Sequence, residues 1–107
     1  MIAQKDARYR NPDILRAARG EECQMRSPYC NHDPATTVAA HSNAREHGKA
    51  MGRKSHDIFI CFACSACHDF YDGRVRYTYS PKERHDLFFV PGMYRTQLII
   101  ARKGIKL

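Results

Sequence analysis

The run Cys64-Ser65-Ala66-Cys67-His68 constrains this chain more than any other feature. Two residues between thiolates let both sulfurs turn onto one tetrahedral ion while amides of the knuckle donate to them. A tetrahedral site needs a second pair. Outside the neighbourhood of Cys61, the five cysteines offer only Cys23 and Cys30. Their separation is wider than the usual knuckle, and Ser27-Pro28 supplies a turn that brings the chain back. The favoured ligand set is Cys23, Cys30, Cys64 and Cys67 around a structural Zn²⁺. Cys61-x-x-Cys64-x-x-Cys67 would also supply three ligands by itself. Strand alternation, however, sets Cys61 beside Phe59 and Ala63, where a buried thiol serves as a small hydrophobe. The odd cysteine count argues against a closed disulfide framework.

A chain of 107 residues makes one domain, and so small a core profits from a metal staple. We expect a flexible segment at 1–13 and a single zinc-binding domain over 14–107. Apolar residues, at 43%, are at the ordinary globular level, so most of the chain should fold. The formal charge of +7 and pI near 9.4 come from basic residues spread along the chain. Such a surplus attracts polyanions, because each neutralised phosphate releases counterions. Charge alone does not separate nucleic acid from other anionic partners. No window approaches the roughly 20 apolar residues of a membrane span. Residues 1–10 carry charges and lack the apolar stretch of a signal peptide. A cytoplasmic location is expected, where thiols stay reduced and available to metal.

Pro12-Asp13 ahead of Ile14-Leu15-Arg16-Ala17-Ala18-Arg19-Gly20 predicts a short helix that stops at Gly20. Thr36-Thr37-Val38-Ala39-Ala40-His41 reads as a short strand ending on a histidine. Residues 42–55, rich in charge, predict an exposed loop with a helical turn within 44–51. Asp57 introduces Ile58-Phe59-Ile60-Cys61-Phe62-Ala63, apolar on both faces and hence a buried strand. The knuckle then leads into a short helix that ends at Gly73. Ser80-Pro81-Lys82-Glu83 is a capping box with proline at the first helical position. Leu87, Phe88 and Val90 supply the apolar side of that helix, and Pro91-Gly92 interrupts it. Tyr94, Leu98 and Ala101 carry the stripe on to about Arg102. The apolar face of this helix, with Phe88, Phe89, Tyr94, Leu98 and Ile99, packs on the core by default in so small a chain or makes a homodimer. An exposed remainder would be a partner surface.

His68 follows Cys67 directly and Asp72 lies one turn further on, so in a helix both face one side. An imidazole and a carboxylate placed so can share a divalent ion such as Mg²⁺, Mn²⁺ or Zn²⁺. Asp69 sits off that face. His41 would project towards the knuckle if the two strands pair, and a neutral imidazole there can take a proton from water attacking phosphorus. A lone histidine at a strand end is usually structural; its company here favours chemistry. Asp57 orients His41, binds the ion, or is a strand-end turn residue, and the spacing does not choose among these. His32, His47, His56 and His85 stand in polar surroundings and read mostly as surface residues. Arg45, Lys49, Arg53 and Lys54 in the loop, with Arg74 and Arg76 after the helix, are the candidate phosphate contacts.

The order cysteine pair, strand, histidine, basic loop, aspartate, strand, Cys-x-x-Cys-His and helix resembles the HNH, or ββα-metal, nucleases. Their two strands and helix present a general-base histidine and a metal-binding histidine. More narrowly, five stretches resemble the YbcO-like nucleases of phages and prophages. These are Leu15-Arg16-Ala17-Ala18-Arg19-Gly20-Glu21-Glu22-Cys23-Gln24, Cys30-Asn31, Ala40-His41, Ala63-Cys64-Ser65-Ala66-Cys67-His68-Asp69 with Asp72, and Gly92-Met93-Tyr94-Arg95-Thr96-Gln97. The similarity spans residues 14–104.

The resemblance implies an α+β fold with a small zinc-stapled ββα-metal (HNH/treble-clef-like) core, a short N-terminal helix and a C-terminal helix or helices. It puts His41 at the first HNH histidine, His68 at the last, and the four cysteines at structural zinc positions. Asp57 falls near the family's central asparagine, with slightly longer spacing to the cysteines. Ala40 stands where many such enzymes carry a metal ligand, which leaves an ion leaning on His68, Asp72, water and phosphate. The implied activity is metal-dependent hydrolysis of DNA phosphodiester bonds with Mg²⁺ or Mn²⁺, in recombination, repair or processing, with branched DNA among the candidate substrates. His41, His68 and Asp57 would be the catalytic residues. The alternative is a non-catalytic zinc module that binds nucleic acid through the same loop. It explains the cysteines and the charge but leaves His41, His68 and Asp72 without a shared purpose.

Overall fold

The computed structural model describes residues 9–74, 76 and 78–107, so the segment expected to be loose, 1–13, is seen only from Tyr9 onward. There the chain is tied to the end of the long loop. Tyr9 N–H donates to His56 Nδ1 (2.9 Å), Asp57 N–H to the Tyr9 carbonyl (2.9 Å) and Asn11 N–H to Asp57 Oδ2 (2.7 Å). Asn11 also caps helix α1 (Pro12–Ala17), its side chain accepting from Asp13 N–H. A 3₁₀ turn, Pro34–Thr36, precedes strand β1 (Val38–His41), and strand β2 is Ile60–Ala63. The two pair antiparallel, Val38 opposite Ala63 and His41 opposite Ile60. The loop between them carries the expected helical turn, as 3₁₀ at Arg45–His47. Ser42 and Ser55, at its two ends, are nonetheless buried.

Side chains alternate across a strand pair, and here each face of the hairpin builds its own core. Ala40, Cys61 and Ala63 pack with Cys67, Phe70, Tyr71, Phe89 and Met93. Ile60 and Phe62 pack on the other face with Ile14, Ala18 and Ile100. Helix α2 (Ser65–Asp72) follows β2 at once. Cys64 Sγ caps it by accepting from Cys67 N–H (3.4 Å), and Gly73, in the left-handed region at φ 68°, ends it.

The capping box forms as predicted, with Ser80 N–H on Glu83 Oε1 (2.7 Å) and Glu83 N–H on Ser80 Oγ (3.1 Å). It opens α3 (Pro81–Glu83), which passes through a π-helical segment, Arg84–Phe89, into α4 (Val90–Arg102). The interruption expected at Pro91-Gly92 does not occur. Proline has no N–H to give the preceding turn. The ladder widens just ahead of it, Val90 N–H reaching the His85 carbonyl, and the helix runs on.

The apolar stripe of α4 also differs from the predicted one. Gly92, Met93, Thr96 and Ile100 are its buried residues, while Tyr94 and Leu98 are 63% and 49% exposed. Backbone contacts with β2 decide this. A Cβ at Gly92 would lie 2.6 Å from Cys61 Sγ and 2.7 Å from the Gln24 carbonyl. Thr96 Oγ1 accepts Phe62 N–H (2.9 Å), and Gln24 N–H donates to the Phe62 carbonyl (2.7 Å). The outer edge of β2 is thereby covered.

Candidate metal centre and active site

The cysteine turns and the α2 knuckle bring the Sγ atoms of Cys23, Cys30, Cys64 and Cys67 within 4.8 Å of one another. Cys30 Sγ and Cys64 Sγ are 3.8 Å apart. That matches the edge, about 3.8 Å, of a tetrahedron of thiolates each about 2.3 Å from a central zinc. Backbone amides converge on the sulfurs: Ser27 N–H on Cys67, Asn31 N–H on Cys64 and His32 N–H on Cys30, each at 3.4 Å. Arg26 (φ 55°) and His32 (φ 57°) take left-handed backbone, one in each cysteine turn. Non-glycine residues adopt that conformation at a cost of about 1–2 kcal/mol, which the surroundings must offset.

Four thiols this close cannot all ionise without a cation. The Cys67 hydrogen bond and backbone amides draw Cys23 down to about 4, against its burial. Burial and the charge of Cys23 push Cys30 up to about 11, and the proton shared with Cys23 raises Cys67 further still. The donor set therefore fits a zinc ion. Cys61 lies outside the cluster, fully buried between the sheet and α4, and burial pushes its thiol far up.

Holding Cys64 and Cys67 fixes the first turn of α2, and His68 is the next residue. Its Nε2 is 3.2 Å from Asp72 Oδ2, one turn on. The other Asp72 oxygen takes the Asn43 amide (3.5 Å), and Arg74 reaches Oδ2 at 3.3 Å while also pairing with Asp69 at 3.2 Å. Burial would raise the Asp72 pKa, but His68, Asn43 and Arg74 outweigh it and hold the carboxyl below its ordinary value.

His41 forms a second pair. Its Nε2 is 2.7 Å from Asp57 Oδ1, and that carboxylate, 1% exposed, also takes Asn11 N–H and the Arg10 guanidinium (3.1 Å). Burial lowers the His41 pKa despite Asp57. Burial opposes the charge on Asp57, yet its hydrogen bonds from His41 and Asn11 hold it low.

The two pairs do not converge as the spacing suggested. His41 pairs with Ile60 and shares its face of the hairpin, whereas α2 packs on the Ala40 and Cys61 face. Strand alternation turns Ala40 towards α2 and His41 away from it. Only two residues of chain separate them, since Asn43 already touches Asp72.

Several residues here escaped the sequence reading. Buried Ser42 Oγ lies 2.6 Å from His47 Nδ1, and His47 stacks on Phe59 (4.3 Å, 15°). Asn43 N–H donates to the Tyr71 hydroxyl (2.8 Å), which is 2.8 Å from His85 Nδ1. His47 and His85, read as surface residues, are half-buried and bonded. No local spacing announces them; the loop and the π-helical segment bring them to α2. Of the expected phosphate contacts, Arg45, Arg53, Lys54, Arg74 and Arg76 are exposed and Lys49 is half-buried.

The chain is thus a small α+β domain with a four-cysteine cluster able to hold zinc and a His–Asp pair on the helix that cluster anchors. Residues 12–105 match the family described as "Putative nuclease YbcO", and the chain belongs to that family. Two relatives carrying that description, from Escherichia coli K12 and from Enterobacteria phage 82, are each 40% identical over 95 residues, covering 87% of this chain and 95% of theirs. A solved structure described as a "putative bacteriophage protein" from E. coli K-12 MG1655 superposes with a TM-score of 0.65 at 37% identity. It covers 84% of this chain and 98% of its own. Among the described residues, no helix is long and apolar enough to cross a membrane.

Proposed function

We propose that the chain is a metal-dependent DNA endonuclease of the HNH, ββα-metal type, acting in phage or prophage DNA recombination, repair or processing. The observation that carries this reading is the His68–Asp72 pair, 3.2 Å apart on the helix whose first turn the cysteine cluster holds. The order β1, β2, α2, with the knuckle between strand and helix, supports the type.

His68 and Asp72 suit a hard ion that keeps several waters and takes few protein ligands, as Mg²⁺ does; Mn²⁺ accepts similar donors. An ion bound there would offset charge on the phosphate being cleaved. Asn43 and Arg74 hold the Asp72 carboxylate in place. Asp57 accepts the Nε2 proton of His41, which fixes the neutral tautomer with Nδ1 as its basic nitrogen. Because burial keeps His41 neutral at pH 7, it is able to take a proton from attacking water. Arg45, Lys49, Arg53, Lys54, Arg74 and Arg76 would grip the backbone on either side, with the strand passing over the end of the hairpin between the two pairs.

Arg74, 3.3 Å from Asp72 Oδ2, favours the competing reading, a non-catalytic zinc module, because an ion must share that carboxylate with it. Nicking of supercoiled plasmid and cutting of branched DNA in Mg²⁺ or Mn²⁺ separates the two. We expect His68→Ala and His41→Ala each to lower the rate at least about 100-fold. Wild type that binds DNA but never nicks it leaves only the zinc module. Nicking that survives both substitutions rejects this site.

A further inference from the structure

We infer that His85 contacts the substrate, donating a hydrogen bond to a phosphate oxygen of the DNA strand that lies in the cleft beside Asp72; this rests on the endonuclease reading above. The cleft, about 500 Å³, has Asn43 and Asp72 on one side and Arg84 and His85 on the other. It is therefore continuous with the His68–Asp72 pair, on the α2 face of the hairpin from which His41 is turned away.

The tautomer we assign to His85 rests on its partner. The Tyr71 hydroxyl already accepts Asn43 N–H (2.8 Å), and its own proton can go to His85 Nδ1, 2.8 Å away. A neutral imidazole that accepts at Nδ1 carries its proton on Nε2, so the ring has a donor to offer. The ring is also fixed in place, stacked on Phe89 (5.4 Å, 12°) and on Tyr71 (5.9 Å, 27°). Both His85 and Phe89 belong to the π-helical segment Arg84–Phe89. Such segments are rare and concentrate at functional sites. His85 and Phe89, one turn apart, stack so that one ring buttresses the other.

The other cations of the cleft are engaged by the protein. Lys82 pairs with Asp86 (2.6 Å), and Arg84 donates to the carbonyls of Tyr79 (2.7 Å) and Tyr71 (3.4 Å). Glu46 and Asp72 add negative charge at the rim, unfavourable to bare phosphate and compatible with it once an ion is bound at Asp72. An N–H donor held by stacking suits an anionic oxygen there.

The test uses the whole zinc-loaded chain, labelled with ¹⁵N in its histidine rings and titrated with a short DNA duplex in Ca²⁺, an oxygen-seeking divalent ion that can occupy the Asp72 carboxylate. The free protein should show His85 as the Nε2–H tautomer, and its ring nitrogens should shift as DNA saturates while those of His32, beside the cysteine cluster, stay put. In parallel, His85→Phe keeps the stack and removes both nitrogens. We expect it to nick at least about tenfold more slowly, the loss of one hydrogen bond to a charged group. Its melting temperature should fall by only a few degrees, because the Tyr71 hydroxyl loses its acceptor. Should His85→Phe not fold, the titration decides alone. His85 nitrogens unmoved at saturation, or a folded His85→Phe that nicks at the wild-type rate, overturns the inference and leaves the endonuclease intact. Wild type that neither binds nor nicks DNA overturns the endonuclease reading itself.

Discussion

Asp57 shows how one buried carboxylate ties a candidate catalytic side chain to the fold. It accepts from His41, from the backbone of Asn11 and from Arg10, so it both orients the histidine and anchors the start of α1. Asp57→Ala should cost about 3 kcal/mol in urea unfolding, because buried donors lose their acceptor. The pH dependence has a definite sign. His41 in the folded chain sits below its ordinary 6.5 and Asp57 below its ordinary 3.8, so the unfolded chain binds protons more readily at both. Stability should therefore fall as the pH drops below about 6.5, and again through the range below about 3.8 where Asp57 is protonated. A urea midpoint flat between pH 7 and pH 4 would contradict this. The sequence left Asp57 with three roles, and its hydrogen bond with His41 supports the orienting one. At Gly92, adding one methyl group should cost about 2 kcal/mol by overpacking. Calorimetry on Gly92→Ala checks the close approach of α4 to Cys61 and Gln24.

At the scale of elements, the knuckle and α2 depend on the cysteines. A helix of eight residues is too short to stand alone, and its first turn is held by Cys64 and Cys67. Elemental analysis should find about one zinc per chain, lost in Cys23→Ser and kept in Cys61→Ser, with chelation lowering the melting temperature and abolishing nicking together. Zinc retained in Cys23→Ser but lost in Cys61→Ser would reassign the ligands. The capping box at Ser80 and the short strands were legible because their signals are local. The course of the last helix was not. A break in it was expected at Pro91-Gly92, whereas the preceding π turn accommodates the proline. Its buried face was read from large apolar residues, whereas the positions pressed on β2 are a glycine and a threonine. Tyr94 and Leu98 consequently point outward.

Over the whole molecule, a formal charge of +7 should make DNA affinity fall steeply with salt. Arg45→Ala and Lys54→Ala should each reduce the slope of log K against log salt by about one, if each contacts one phosphate. Fluorescence anisotropy between low and moderate salt measures this, and an unchanged slope would take those side chains out of the interface. The hairpin sets His41 and His68 on opposite faces, so a strand that meets both must cross the end of the sheet. The loop between β1 and β2, with its basic residues, starts from that end.

The sequence by itself determined the cysteine cluster, the positions of the two strands, the His68–Asp72 pair and the family. These follow from short-range spacing, where two or four residues dictate which atoms share a turn. Only the tertiary structure decided which face His41 takes, that Asp57 serves it, that α4 runs unbroken, and that Asn43, Tyr71 and His85 gather beside Asp72. Each of those depends on elements distant in sequence packing against one another. The run Cys64-Ser65-Ala66-Cys67-His68 lies at the meeting point: its local spacing specifies the cluster and the helix, and the packing of that helix decides what His68 faces.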